Sequence, residues 1–204
     1  MVEKGQDIGH KFLSDLDEYL AKSWKTITCD EMADLYYRFF CDLKEFKGNA
    51  NGFTGLSEYL LFRALYHRLG GDFEKVRVTH DLFEFVSKSG IIRIGQSTPV
   101  NLDKKRYYPD IVIYNNDKLV SIIQIKIYLT SGRKEIDKEV ETLRRIRERY
   151  PGVECTLVIF GAISSASKIA IYLSQREKDT DGFHSLVLRN NPNPLSKELD
   201  RWLS

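Results

Sequence analysis

Asp110, Gln124, Lys126 and Glu58 are polar or charged residues set into otherwise apolar sequence. The first three lie in YYPDIVIYNNDKLVSIIQIKIYL, two apolar runs joined by a polar turn, and Glu58 lies in LSEYLLFRALYHRL. Burying such groups is costly unless something offsets their charge. A divalent cation would: Asp110 and the Gln124 carbonyl bind Mg²⁺ directly, and Glu58 binds it or holds a coordinated water. Lys126 then orients or helps to deprotonate the attacking water and stabilises charge growing on phosphorus oxygens. The chemistry expected of this set is hydrolysis of a phosphate ester.

These residues act together only if the backbone brings them to one place. Side chains alternate along a strand, so Gln124 and Lys126 share a face with Ile122 and Tyr128, and Asp110 shares one with Val112 and Tyr114. A three-residue loop at 116–118, or a five-residue loop centred on Asp117, sets Asp110 opposite Gln124. A two-residue loop sets it opposite Ile123, on the wrong face, unless a bulge intervenes. The Asn- and Asp-rich turn suits the positive φ of a three-residue loop, and the favourable register is the one expected. Opposed Cβ atoms are then ~5 Å apart. Glu58 falls within the apolar stripe of a helix over about 54–69, beside Leu65 and Leu69. Plainer readings exist for each residue. Asp110 after Pro109 suits a strand start. Lys126 suits an edge strand and Gln124 a half-exposed sheet. Glu58 suits an ion pair with Arg68 or a lysine.

Around this site the chain reads as an α/β sequence. Helices over 7–24 and 30–46 form an N-terminal helical extension, residues 1–50, closed by the breaker KGNANG at 47–52. The main domain, 51–204, opens with the helix carrying Glu58, stopped by Gly70 and Gly71. KVRVT and GIIRIG read as strands, while HDLFEFVSK between them fits either a strand or a short helix. The central hairpin is followed by a helix in SGRKEIDKEVETLRRIRERY and a buried strand in VECTLVIFGA. A helix at 164–177, a strand at 183–188 and a terminal helix opened by Pro194 complete the order. A hairpin followed by helical crossovers gives a mixed central sheet flanked by helices.

Composition excludes several classes. Apolar residues make up 42% and charged residues 29%, values of an ordinary globular chain. No apolar run approaches the ~20 residues of a spanning helix, and the N-terminus lacks a leader pattern, so the expected location is cytoplasmic with no membrane partner. Cys29, Cys41 and Cys155 are widely spaced and form neither a disulfide framework nor a zinc motif. His67 and His80 have no partner at ligand spacing. Walker A, zinc-protease and serine-hydrolase signatures are absent. Net charge is +2, which by itself says little of nucleic acid. Basic residues do cluster on both sides of the hairpin, and Arg106, Arg133 and Lys134 are candidates for backbone-phosphate contacts. Interleaved acids such as Glu135 and Glu139 equally suit a solvated helix face. Tyr107, Tyr108 and Tyr128 could stack on bases, but packing is the commoner role of such residues.

YPDIVI followed by IIQIK, with a glutamate in a preceding helix, resembles the PD-(D/E)xK, or restriction-endonuclease-like, nuclease superfamily over about residues 54–160. Pro109-Asp110 match the PD, Gln124-x-Lys126 match the (D/E)xK, and Glu58 matches the acidic residue of the first core helix. The resemblance implies a core of helix, three-strand meander, helix and strand, and a metal-dependent nuclease using Mg²⁺ or Mn²⁺. It implies DNA as substrate, with RNA left open, and a homodimer as in many members of this fold. Gln124 departs from the usual carboxylate and is similar to the Q-x-K of Mrr-like members. The missing charge implies weaker Mg²⁺ affinity, a preference for Mn²⁺ or loss of activity. The alternative is an inactive module of the same fold that binds nucleic acid or a partner protein.

Overall fold

The computed structural model describes residues 2–47, 55–71, 73–79, 82–87, 91–102, 105–129, 132–164 and 167–204. Three helices come first, α1 (Val2–Ser23), α2 (Cys29–Lys47) and α3 (Leu56–Arg68). Strands β1 (Phe73–Thr79), β2 (Leu82–Ser87) and β3 (Ile92–Gln96) follow, then a short ribbon of β4 (Val100–Leu102) and β5 (Lys105–Tyr107). The central hairpin is β6 (Ile111–Asn115) and β7 (Lys118–Lys126). The chain then alternates through α4 (Arg133–Arg149), β8 (Glu154–Ile159), α5 (Lys168–Asp179), β9 (Phe183–Val187) and α6 (Ser196–Leu203).

Among the described residues the main sheet has seven strands in the order β1-β2-β3-β6-β7-β8-β9. Pairing is antiparallel from β1 to β7 and parallel from β7 to β9. The switch in direction follows from the connections: a tight turn joins antiparallel β6 and β7, whereas the helices α4 and α5 return the chain for each parallel strand. The expected mixed sheet with flanking helices is therefore present. HDLFEFVSK, ambiguous between strand and helix, supplies β2, because pairing with two neighbours outweighs the local ambiguity. The ribbon β4–β5 was not expected; it places Arg106 opposite Asn101. The last helix begins at Ser196, and Pro194 instead makes an isolated bridge with Thr28.

Residues of alternate parity on β6 enter different cores, as the two faces of a sheet covered on both sides require. Ile111 and Ile113 join Leu60, Leu61, Leu65, Met32, Tyr36 and Trp202 on the side of α1, α2, α3 and α6. Val112 joins Ile122, Leu157, Ile136, Val140 and Leu143 on the side of α4 and α5. The first two helices contribute buried Leu16, Leu20, Met32 and Ala33, and their connection Ile27, to the same cluster as the sheet. The break expected at 47–52 lies almost wholly outside the described residues. Cys29 and Cys155 are buried free thiols, and burial pushes both up to about 12. His80 and the Cys41 side chain also fall outside the description. No helix among the described residues is long and apolar enough to cross a membrane.

A polar pin fastens the far edge of the sheet. His184 of β9 lies 2.9 Å from Glu177 of α5 and 3.4 Å from Glu198 of α6, and Glu177 also accepts from the Ser185 amide. Burial disfavours the imidazolium, but the two carboxylates outweigh it and raise His184 from 6.5 to about 9. A folded-state value above the free one means that this stabilisation is complete below pH 6.5 and is lost as pH rises through 9. Thermal melts are expected to show a decline on the order of 1–2 kcal/mol across that window, flattened in His184→Gln. An unchanged slope in the variant would remove the pin as its source.

Candidate active site

The hairpin reaches the productive register by the less expected route. Its loop has two residues, Asn116 and Asp117, both at positive φ (50° and 58°), with Asn115 opposite Lys118. That loop alone would leave Asp110 facing Ile123. A bulge then intervenes: Tyr114 pairs with Leu119 but Ile113 pairs with Ser121, leaving Val120 as the extra residue. Ile111 consequently lies opposite Ile123, and Asp110 comes level with Gln124. The three-residue loop is thus corrected, while the alignment it was meant to give is present.

The contact is direct. Asp110 Oδ2 accepts from Gln124 Nε2 at 2.6 Å and from the Ile125 amide at 2.5 Å. Gln124 Oε1 accepts in turn from the Tyr107 hydroxyl at 2.6 Å. Burial pushes Asp110 up to about 7; the Ile125 amide and Lys126 oppose this, while the charges of Glu58 and Glu139 add to it. Burial and the nearby charges of Glu139 and Asp110 also raise the Tyr107 phenol, so Tyr107 stays a neutral donor.

Glu58 arrives from the other layer. It is half-buried near the start of α3 and accepts from Gln96 Nε2 of β3 at 2.8 Å. The helix that carries it is fastened to α1: Arg63 donates twice to Asp17 at 2.6 Å, and His67 Nε2 lies 2.7 Å from the same carboxylate. Arg68, the alternative partner for Glu58, instead bonds Asp200 at 2.5 Å.

Lys126 lies on an interior strand between β6 and β8, which removes the edge-strand reading. Its Nζ is 2.8 Å from Glu139 and 4.0 Å from Glu135, both on α4. Burial alone would lower its pKa; the bond to Glu139 and the charges of Glu139, Glu135 and Asp110 outweigh that and raise it. Lys126 is held as an ammonium ion.

Three participants escaped the sequence reading: Gln96, Tyr107 and Glu139. Glu139 is only 7% exposed and does not belong to a solvated face. Its signal was its spacing from Ile136, Leu143 and Ile146 on the buried side of α4, three, four and seven residues away. Of the three candidate phosphate contacts, Arg106, Arg133 and Lys134 are all exposed, and Arg133 lies over the Tyr172 ring at 4.9 Å.

The donors fit a hard divalent cation in kind: two carboxylates and an amide oxygen, with Asp110 short of counter-charge. Among the described residues no three His, Cys, Asp or Glu side chains form a metal-holding cluster; beside Asp110 and Glu58, the Gln124 amide oxygen would be the third donor of such a set. The amide NH₂ faces Asp110 and its oxygen faces Tyr107. Turning the amide over would offer Oε1 beside Asp110 and place Nε2 on the Tyr107 oxygen, which can accept as well as donate. An oxygen against the Asp110 carboxylate is repulsive unless a proton or cation lies between them.

No protein-family model matches the chain, and no curated protein matches its sequence. Among solved structures, that of protein VC1899 from Vibrio cholerae is similar, with a TM-score of 0.44 and 15% identity. The match covers 93% of this chain and 50% of that one, so the chain spans about half of that protein's length.

Proposed function

We propose that the protein is a metal-dependent nuclease of PD-(D/E)xK type that hydrolyses phosphodiester bonds in DNA. The observation that carries this reading is the hydrogen bond of Asp110 to Gln124 across β6 and β7, with Glu58 and Lys126 both within electrostatic reach of Asp110. The order of α3, an antiparallel meander ending in β7, α4 and parallel β8 supports a restriction-endonuclease-like core.

Asp110, the Gln124 carbonyl and Glu58 would hold Mg²⁺ or Mn²⁺. Such an ion, when bound, polarises the phosphate and lowers the pKa of a bound water. Lys126, held charged, is a poor acceptor for that water's proton, and its role is electrostatic stabilisation of the pentavalent phosphorus. Glu139 keeps the ammonium in place, and Tyr107 fixes the plane of the Gln124 amide. Glu58, on α3 in the opposite layer, would bind the ion or hold a coordinated water.

A second reading, a silent member of the same fold that only binds nucleic acid or protein, is favoured by Gln124 in place of a carboxylate and by the pairing of Lys126 with Glu139. Incubation of plasmid and single-stranded DNA with Mg²⁺ or Mn²⁺ separates the two. The parent is expected to cleave, and Asp110→Ala and Lys126→Ala to lose at least roughly 10²-fold in rate. Cleavage that persists in both variants, or none by the parent in either metal, sinks the catalytic reading.

A further inference from the structure

Tyr108 and Tyr128 are the most exposed aromatic side chains among the described residues, each 56% exposed. They stand two residues before Asp110 and two residues after Lys126, so each Cα is within ~7 Å of a site residue's Cα along the chain. Their exposure is organised. Tyr107 turns inward to bond Gln124 while Tyr108, its neighbour, turns out, followed by buried Pro109. The Tyr128 ring rests against Gly161, where an added Cβ would meet it at 3.1 Å and the Ile127 carbonyl oxygen at 2.7 Å. Tyr37 of α2 lies tilted beside it, ring centroids 6.2 Å apart, with burial and a hydrogen bond to Tyr128 raising the Tyr37 phenol. Tyr128 is thus held from two sides while much of it stays in water.

Exposed Arg106 is two residues from Tyr108, and exposed Arg133 and Lys134 open the helix that follows Tyr128. Exposed rings with cations close by in the chain suit a strand whose bases are unstacked. A duplex hides its base faces in its own stack and gains nothing from these phenols, whereas stacking on an aromatic side chain contributes ~1–3 kcal/mol per base in a single strand. Cations without such rings would take duplex and single strand through phosphates alike.

We infer that Tyr108 and Tyr128 form a base-stacking platform beside the site, at the end of the hairpin where Asp110 and Lys126 lie, and that its substrate is single-stranded nucleic acid. This rests on the nuclease reading for the role of the site, but the binding it predicts is measured without turnover. Fluorescence anisotropy of full-length Asp110→Asn with a labelled single-stranded DNA oligonucleotide, against the same sequence as a blunt duplex, is the test. The single strand is expected to bind at least ~10-fold more tightly. Tyr108→Leu and Tyr128→Leu should each weaken it ~5- to 100-fold and leave the duplex unchanged, while Tyr128→Phe, which keeps the ring, retains affinity. An abasic oligonucleotide, with phosphates but no base faces, should bind as weakly as the duplex, and this arm needs no tyrosine variant to fold. Equal or tighter duplex binding, abasic binding equal to the intact strand, or leucine variants that weaken both forms alike would overturn the platform. Single-strand preference without cleavage by the parent in any metal would instead overturn the catalytic reading alone.

Discussion

Asp110→Asn is expected to abolish metal-dependent cleavage and to raise the melting temperature of the free protein at pH 8. Both effects come from one carboxylate. Asp110 is pushed up to about 7 by burial, with Glu58 and Glu139 adding their charge. A folded-state value above the free value of 3.8 means that the group favours folding most when protonated. That advantage is lost as pH rises through 7, above which the buried site holds an ionised group. Asparagine keeps the oxygen that accepts from the Ile125 amide and Gln124 but carries no charge. The gain at pH 8 should be on the order of 1–3 kcal/mol, or several degrees in a chain of this length, and should vanish near pH 4. A divalent cation compensates the same charge, so Mg²⁺ or Mn²⁺ should raise the melting temperature of the parent by an amount that grows with pH through 7. Asp110→Asn should show no such shift. A site that stabilises the protein when its charge is removed has been kept for something other than stability. If the variant melts below the parent at pH 8, or still responds to the cation, Asp110 is an ordinary structural acid and the proposal fails with it.

Two apolar runs flanking a polar turn made the two strands of the hairpin legible, and the period of its leucines placed Glu58 on the core side of its helix. The loop was misjudged because Asn-Asp chemistry tolerates positive φ in two-residue and three-residue turns alike. Nothing in KLVSIIQ marks Val120 as the extra residue, since a bulge is selected by the packing of Leu119 and Ile122 into one core and Ile123 into the other. Glu139 was hidden by its neighbours: DKEVETLRR is mostly charged, and only the register of Ile136, Val140 and Leu143 separates the acid that faces Lys126 from those on the other sides of the helix. Tyr107 and Tyr108 are adjacent and identical in type. Their division into one buried donor and one exposed ring depends on the ribbon β4–β5, whose three-residue strands are too short to show a period.

Gln124→Glu should make the free protein less stable and the metal-bound protein tighter. The amide nitrogen now donates to Asp110 at 2.6 Å; a carboxylate in its place sets two acids oxygen to oxygen. Two acids that close cannot both ionise without help, so the pair would share a proton near neutral pH. Tyr107 can still donate to the new carboxylate, so the loss is confined to the Asp110 side. Stability at pH 8 without metal should fall by about 1–3 kcal/mol. A divalent cation between the two carboxylates removes the repulsion and gains a charged ligand, and affinity rises with ligand charge. The Mg²⁺ midpoint for cleavage, or for thermal stabilisation, should then drop ~10-fold or more, with a smaller change for Mn²⁺, which tolerates a neutral donor better. Calorimetric titration of parent and variant with each metal measures this directly. An unchanged midpoint would place the cation away from residue 124 and leave Gln124 as no more than the hydrogen-bonded link between Tyr107 and Asp110. A variant that loses stability with and without metal would assign the amide a purely structural role.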